Sequence, residues 1–222
     1  MNQVTTMAGL AKVINWSYNQ FMGRPSNTLE RRRQITRALE QVMSGHGYRG
    51  ATIAEVARVA GLNAGLVHYH FKTKQEILLA LLEQIAQSLE RRYRTRVEHA
   101  GGEPVAELVA FIQAHLALGD DADPALVGAW VTIGAEAIAQ DEVRRVYTHA
   151  LRRRAVELTR LCRRALKARR GSGRGASDMS LALASAIEGA YLLSVAAPGL
   201  ITRGSGARSV SQMARGFLGE LS

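Results

Sequence analysis

An all-α fold of about nine helices is what the sequence predicts, and three observations point there. Hydrophobic residues make up 47% of the 222 residues but aromatic ones only 5%, a small-apolar balance typical of packed helices rather than β-sandwiches. From Leu29 onward apolar residues recur at helical spacings, and no convincing strand pattern interrupts them. Capping residues and glycine or proline breakers punctuate the pattern at intervals that suit separate helices.

The elements follow in order. Residues 1–27 show no sustained apolar period and contain Gly23 and Pro25, so they read as an N-terminal arm. A helix begins near Leu29, with Ile35, Leu39, Val42 and Met43 on one stripe and Arg31, Arg32, Arg33 and Arg37 largely off it, until Gly45, Gly47 and Gly50 break it. Thr52 and Glu55 form a Thr-x-x-Glu capping box for a short helix to Val59, whose Ile53, Val56 and Ala57 face inward with Ala60. Ala60-Gly61-Leu62 makes a tight corner, and Asn63 caps a third helix running to about His70. Thr73 caps a long fourth helix to about His99, roughly 40 Å at 1.5 Å per residue, with Ile77, Leu78, Leu81, Leu82, Ile85 and Leu89 on its buried face and Gly101-Gly102 at its end. Further helices are expected at Pro104 to Leu118, Pro124 to Gln140, Asp141 to Arg170, Asp178 to Val195 and Ser209 to Leu221.

Several function classes are disfavoured. A single cysteine, Cys162, excludes an intramolecular disulfide framework and a cysteine-built zinc site. His68 and His70 lie two apart on a helix and point about 200° from each other, so no metal is expected. No G-x-S-x-G, P-loop, H-E-x-x-H or G-x-G-x-x-G motif appears, and neither an enzyme nor a cofactor is expected. Arg160, Arg163 and Arg164 flank Cys162 and would lower its pKa, the basis of a minor redox reading. The most apolar stretch, Leu181 to Val195, is interrupted by Ser185, Glu188 and Ser194, and the first 22 residues read poorly as a secretion signal, so no membrane partner and a cytoplasmic location are expected.

The charge is uneven. The 29 basic and 19 acidic side chains leave +10, and between Arg24 and Gln75 nine basic residues face three acidic ones. Helix, glycine corner and helix over Thr52 to His70 constitute a helix-turn-helix, whose third helix keeps one free face for a major groove, and the surplus of positive charge suits a polyanion. A second cluster, Arg152 to Arg174, holds ten basic residues and one acid. It reads first as a solvated helix face leading into a Gly/Ser-rich loop and second as another nucleic-acid surface.

The run ATIAEVARVAGLNAGLVHYHFKTKQEILLALL, Ala51 to Leu82, resembles the DNA-binding signature of TetR-family transcriptional regulators. More weakly, Trp130 to Leu166 and the run Ile187 to Leu192 look like the ligand and dimer domain of that family's BetI-type branch. The resemblance implies a DNA-binding domain at 28–74 and an effector-binding and dimerisation domain at 75–222. It also implies a repressor that binds a pseudo-palindromic operator as a homodimer and is released by a small-molecule effector.

Matched residue by residue, Thr52 corresponds to the cap that takes a phosphate. Asn63, Ala64, Gly65 and Leu66 correspond to the start of the recognition helix. His68 stands where the family pattern has Tyr, Tyr69 and His70 fall at phosphate-contacting and packing positions, and Lys74 corresponds to a phosphate-anchoring lysine. For each polar member the competing reading is a cap or a surface residue. Phe111, His115, Trp130, Glu136, Tyr147 and Tyr191, with Thr132, are the candidates for an effector pocket, and their plain alternative is core. Glu136, in an otherwise uncharged run, needs a partner if buried; a cationic effector, an arginine and a cap are the options. Leu183, Ile187 and Tyr191 with Met213 and Phe217 are the expected dimer seam. The runner-up reading is a helical ligand- or partner-binding protein with only non-specific DNA affinity, motivated by His68 and the apolar Ala64, Gly65 and Leu66.

Overall fold

The computed structural model describes residues 27–116, 124–202 and 204–219, and these form nine helices and no strand. The arm expected over residues 1–27 lies outside the described residues except for Asn27, as does the end of the helix expected to reach Leu118.

Helix α1 spans Asn27–Gly50 and buries Ile35, Ala38, Leu39, Val42 and Met43, the stripe the spacing predicts. It continues past Gly45 and breaks at Gly47, where φ is 67° and ψ is 173°, because that backbone is open essentially to glycine alone. Helices α2 (Ile53–Val59) and α3 (Ala64–His70) pack on α1. The Thr52 hydroxyl accepts from the Glu55 amide at 3.1 Å and the Asn63 carboxamide accepts from the Leu66 amide at 2.7 Å, so both predicted caps form. Two side chains of α1 hold the corner and the end of α3: Gln34 donates to the Ala60 carbonyl at 2.6 Å, and Arg32 donates to the His70 carbonyl at 2.6 Å with its guanidinium 3.9 Å from the Phe71 ring centroid.

Helix α4 (Lys74–Glu98), capped by Thr73, joins this unit to a bundle of α5 (Pro104–Leu116), α6 (Pro124–Ala139), α7 (Asp141–Arg170), α8 (Ala176–Ala196) and α9 (Ser205–Leu218). The principal contacts run α4 to α5, α5 to α7, α6 to α7, α7 to α8, and α9 to both α5 and α8. Helix α9 starts four residues before the expected Ser209 and ends before Leu221. Gly204 at φ 77° and Gly219 at φ 79° bound it, and its first turn buries only Ala207, too small to carry a periodic signal.

The basic run on α7 resolves into separate roles. Arg160 pairs with Glu157 on the same face, Arg164 reaches Glu107 of α5, and Arg154 turns inward to Glu188 of α8. Arg152, Arg163 and Lys167 are exposed. Cys162 is fully buried, and burial pushes its thiol up to about 12, so the flanking arginines do not activate it as the minor redox reading required. Helix α8 is long and apolar enough by composition to cross a membrane, yet one face packs Met179, Leu183, Ile187 and Tyr191 into the bundle.

Candidate nucleic-acid interface and effector cavity

The face of the helix-turn-helix away from α1 exposes Thr52, Asn63, Ala64, Gly65, His68 and Tyr69, with Tyr69 74% exposed. Val67 is fully buried, which turns the intervening residues outward. Leu66 is half-buried. His70 is also half-buried and meets Tyr69 edge to face at 5.0 Å; desolvation, then Arg32 and Arg31, lower its pKa. Gly65 has an internal reason for its identity, since a Cβ there would lie 3.3 Å from the capping Asn63 oxygen. That restraint operates without DNA.

Lys74 departs from the role its motif position implies. Its ammonium donates to the Tyr48 carbonyl at 2.6 Å and sits 4.1 Å from the Tyr48 ring centroid, directed into the protein. Burial lowers its pKa, opposed by the Glu142 and Glu136 carboxylates. In this conformation the lysine fastens the start of α4 to the end of α1.

Glu136 is likewise misplaced by the pocket reading. It accepts from Gln140 and faces Gly47, where an added Cβ would meet its Oε1 at 2.5 Å, so it lies where α6 touches the DNA-binding unit, away from the two recesses described below. Its side-chain partner among the described residues is Gln140. A single carboxylate in an apolar run does not reveal which end of a bundle it faces.

The other candidates divide. Phe111 and His115 are core: their rings stack at 4.3 Å, His115 Nδ1 lies 2.9 Å from the Phe111 carbonyl oxygen, and burial pulls the imidazole down to about 3. Trp130, Tyr147 and Tyr191 converge. Trp130 and Tyr147 stack at 4.6 Å, the Trp130 indole donates to Glu188 at 2.8 Å, and the Tyr147 hydroxyl lies 3.4 Å from the same carboxylate oxygen. Burial raises both tyrosines, Tyr191 to about 12. Arg154 and Glu188, which the sequence reading did not select as site residues, complete the group; both are charges inside predicted helices, visible in the sequence but not distinguishable there from surface charges. Thr132, half-buried on α6, lines neither of the recesses described next.

A cavity of about 20 Å³ lies against Trp130 and Tyr191, with Ile85, Leu89, Leu126, Val127, Ser88 and Arg92 as its other walls. That space holds about one water molecule. Through Ser88 and Arg92 it borders a wider groove of about 670 Å³ lined also by Arg91, Thr95, Arg96, His99 and Gln113. Among the described residues no three His, Cys, Asp or Glu converge as metal ligands would.

The expected dimer seam requires correction on α8. Leu183, Ile187 and Tyr191 are 0%, 1% and 4% exposed within a single chain and belong to its own core, whereas Leu181, Leu192, Leu193 and Val195 are exposed on other faces. Helix α8 is apolar nearly all round, so periodicity could not say which face turns inward. Met213 and Phe217 of α9 are 44% and 40% exposed.

Comparison with known proteins agrees with this geometry. Residues 35–81 match the profile of bacterial regulatory proteins of the tetR family, and residues 104–219 match that of the C-terminal region of BetI-type transcriptional repressors. The chain is 30% identical over 175 residues to the HTH-type transcriptional regulator BetI of Agrobacterium fabrum, covering 77% of this chain and 84% of that one. It is 30% identical over 125 residues to the BetI of Rhizobium meliloti, covering 55% and 61%. In fold it is similar to a transcriptional regulator of Pseudomonas aeruginosa PAO1, with a TM-score of 0.75 at 21% identity over 88% of this chain and 93% of that one. A regulator of Saccharomonospora viridis solved in complex with choline has a TM-score of 0.62 at 22% identity, covering 86% and 96%. These relatives are transcriptional regulators rather than enzymes. With an exposed recognition helix at one end, a helical bundle at the other and both halves matched, the chain belongs to the TetR family of DNA-binding transcriptional regulators and is BetI-type in its C-terminal half.

Proposed function

We propose that the protein is a repressor that binds a pseudo-palindromic operator as a homodimer and leaves it when a small molecule occupies the bundle beside Trp130 and Tyr191. The observation that carries the DNA half is the outward face of Asn63, Ala64, Gly65, His68 and Tyr69 at the start of a short helix pinned by Arg32 and Gln34. Asn63, His68 and Tyr69 are its polar groups for base edges and phosphates, and Thr52 places a second helix start nearby. Residues 28–74 are the reading unit and 75–222 the effector and dimer unit.

Dimerisation supplies the spacing. Two recognition helices have to enter successive major grooves roughly 34 Å apart, and the exposed Leu192, Val195, Met213 and Phe217 of α8 and α9 are the surface we assign to the second copy. A ligand-responsive cavity is supported by the cluster of Trp130, Tyr147 and Tyr191 and by the solved complex of a structural neighbour with choline. Only a ligand that binds one helix arrangement better than another can shift the dimer off its operator.

The test is binding to the DNA immediately upstream of the protein's own coding region, at physiological salt with non-specific competitor. A saturable shift with dimer stoichiometry, lost in Tyr69→Ala, is the expected outcome. Weak binding without sequence preference that disappears with modest salt points instead to the ligand-binding reading with non-specific DNA affinity.

A further inference from the structure

The group formed by Trp130, Tyr147, Tyr191, Arg154 and Glu188 has the make-up of a cation-binding box. The buried Trp130 ring, in tilted contact with Tyr147 at 4.6 Å, offers its negative face, and a half-buried carboxylate held by the Trp130 indole at 2.8 Å supplies the counter-charge. The box is already filled. The Arg154 guanidinium carbon lies 4.7 Å from the Trp130 ring centroid and the same group is ion-paired with Glu188, so aromatic face and carboxylate both serve one internal cation.

We infer that Arg154 is the resident ligand of this box and sets the charge selectivity of the regulator by excluding external ammonium-type cations. This rests on the effector-site reading proposed above and adds which ligands that site refuses. A tethered guanidinium competes as an intramolecular ligand, with an effective concentration on the order of millimolar or more. A free cation must therefore evict it and leave a buried guanidinium without its carboxylate, a heavy penalty in this environment. The adjacent cavity offers a cation no substitute: Arg92 is the charged residue in its lining, which contains no Asp or Glu.

The test is calorimetric titration with tetramethylammonium chloride, at matched ionic strength and without DNA. The wild-type protein is expected to show no saturable binding. Arg154→Met, which leaves both rings and Glu188 in place, is expected to bind saturably, with a dissociation constant at least about tenfold below the highest concentration tolerated by the wild type without binding. Arg154→Met with Glu188→Gln is expected to lose that gain. Should Arg154→Met fail to fold, Arg154→Gln carries the same comparison, because its neutral amide still donates to Glu188. Saturable binding by the wild type that disappears in Trp130→Leu overturns the proposal, as does a folded neutral variant that binds no better than wild type. Because operator DNA is absent, either result stands apart from the effector reading, which fails only if no small molecule alters operator binding.

Discussion

Gly47 breaks α1 with φ 67° and ψ 173° against the Glu136 carboxylate, so the site has neither backbone freedom nor space for a side chain. Gly47→Ala is expected to destabilise by roughly 1 to 3 kcal/mol, whereas Gly45→Ala, in open space on a helix interior, is expected to stabilise by about 0.5 to 1 kcal/mol. Urea unfolding of the two variants measures the difference. His115 provides a pH signature with a definite sign. Its imidazole titrates near 3 in the folded protein against about 6.5 when unfolded, so between those values the unfolded state binds more protons. Its contribution is fully present above pH 6.5 and is lost as pH falls toward 3, with a slope of up to about 1.4 kcal/mol per pH unit. His115→Gln is expected to flatten that slope in urea titrations run from pH 6.5 to 4. Neither residue's environment was legible beforehand. Gly47 was one of three glycines in six residues, and His115 matched both pocket and core patterns, because sequence spacing gives a face but not what lies opposite it.

Capping and the proposed DNA contact overlap at α3, and a substitution can separate them. Asn63 exposes its side chain on the face proposed to meet DNA while accepting from the Leu66 amide at 2.7 Å. Aspartate caps equally well but places a negative charge beside phosphates. Asn63→Asp is therefore expected to unfold within about 0.5 kcal/mol of wild type and to bind operator about tenfold or more weakly, whereas Asn63→Ala loses about 1 kcal/mol of stability as well. Comparing urea midpoints with operator titrations for the pair resolves the two roles. At this scale the sequence was most readable. Thr52, Asn63 and Thr73 each cap the helix they were expected to start, and α7 runs from Asp141 to Arg170 as the spacing indicates. It was least readable in α8, where apolar residues surround the helix and the buried Leu183 and Ile187 cannot be told from the exposed Leu181 and Leu192.

For the whole molecule, the helical class and the order of a DNA-reading unit before a larger bundle were legible, because local periodicity and caps suffice for both. The interior of the bundle was not. Arg154 and Glu188 are on different helices and acquire meaning only when α7 packs on α8, and Lys74 turns toward Tyr48 only because α1 and α4 meet there. The proposed dimer is testable at this scale. Phe217→Glu, at a site 40% exposed in one chain, is expected to yield a folded monomer in sedimentation and to reduce operator affinity by at least about a hundredfold, since half of the paired contact is lost.

The attachments of α1 to α4 and α6 have a mechanical consequence. Thr36 bonds to Gln84 at 2.9 Å, while Gly47 abuts Glu136 and the Tyr48 carbonyl accepts from Lys74. The first lies on the helix proper and the other two at and just past its break at Gly47. A rod packed along one side and fastened at its end resists sliding more than it resists torsion about its own axis. Because Arg32 and Gln34 tie α3 and the corner before it to that rod, a twist of α1 about its axis would carry Asn63 to His70 sideways, so that under the proposed function the spacing between two such helices would answer to angle rather than to stretch.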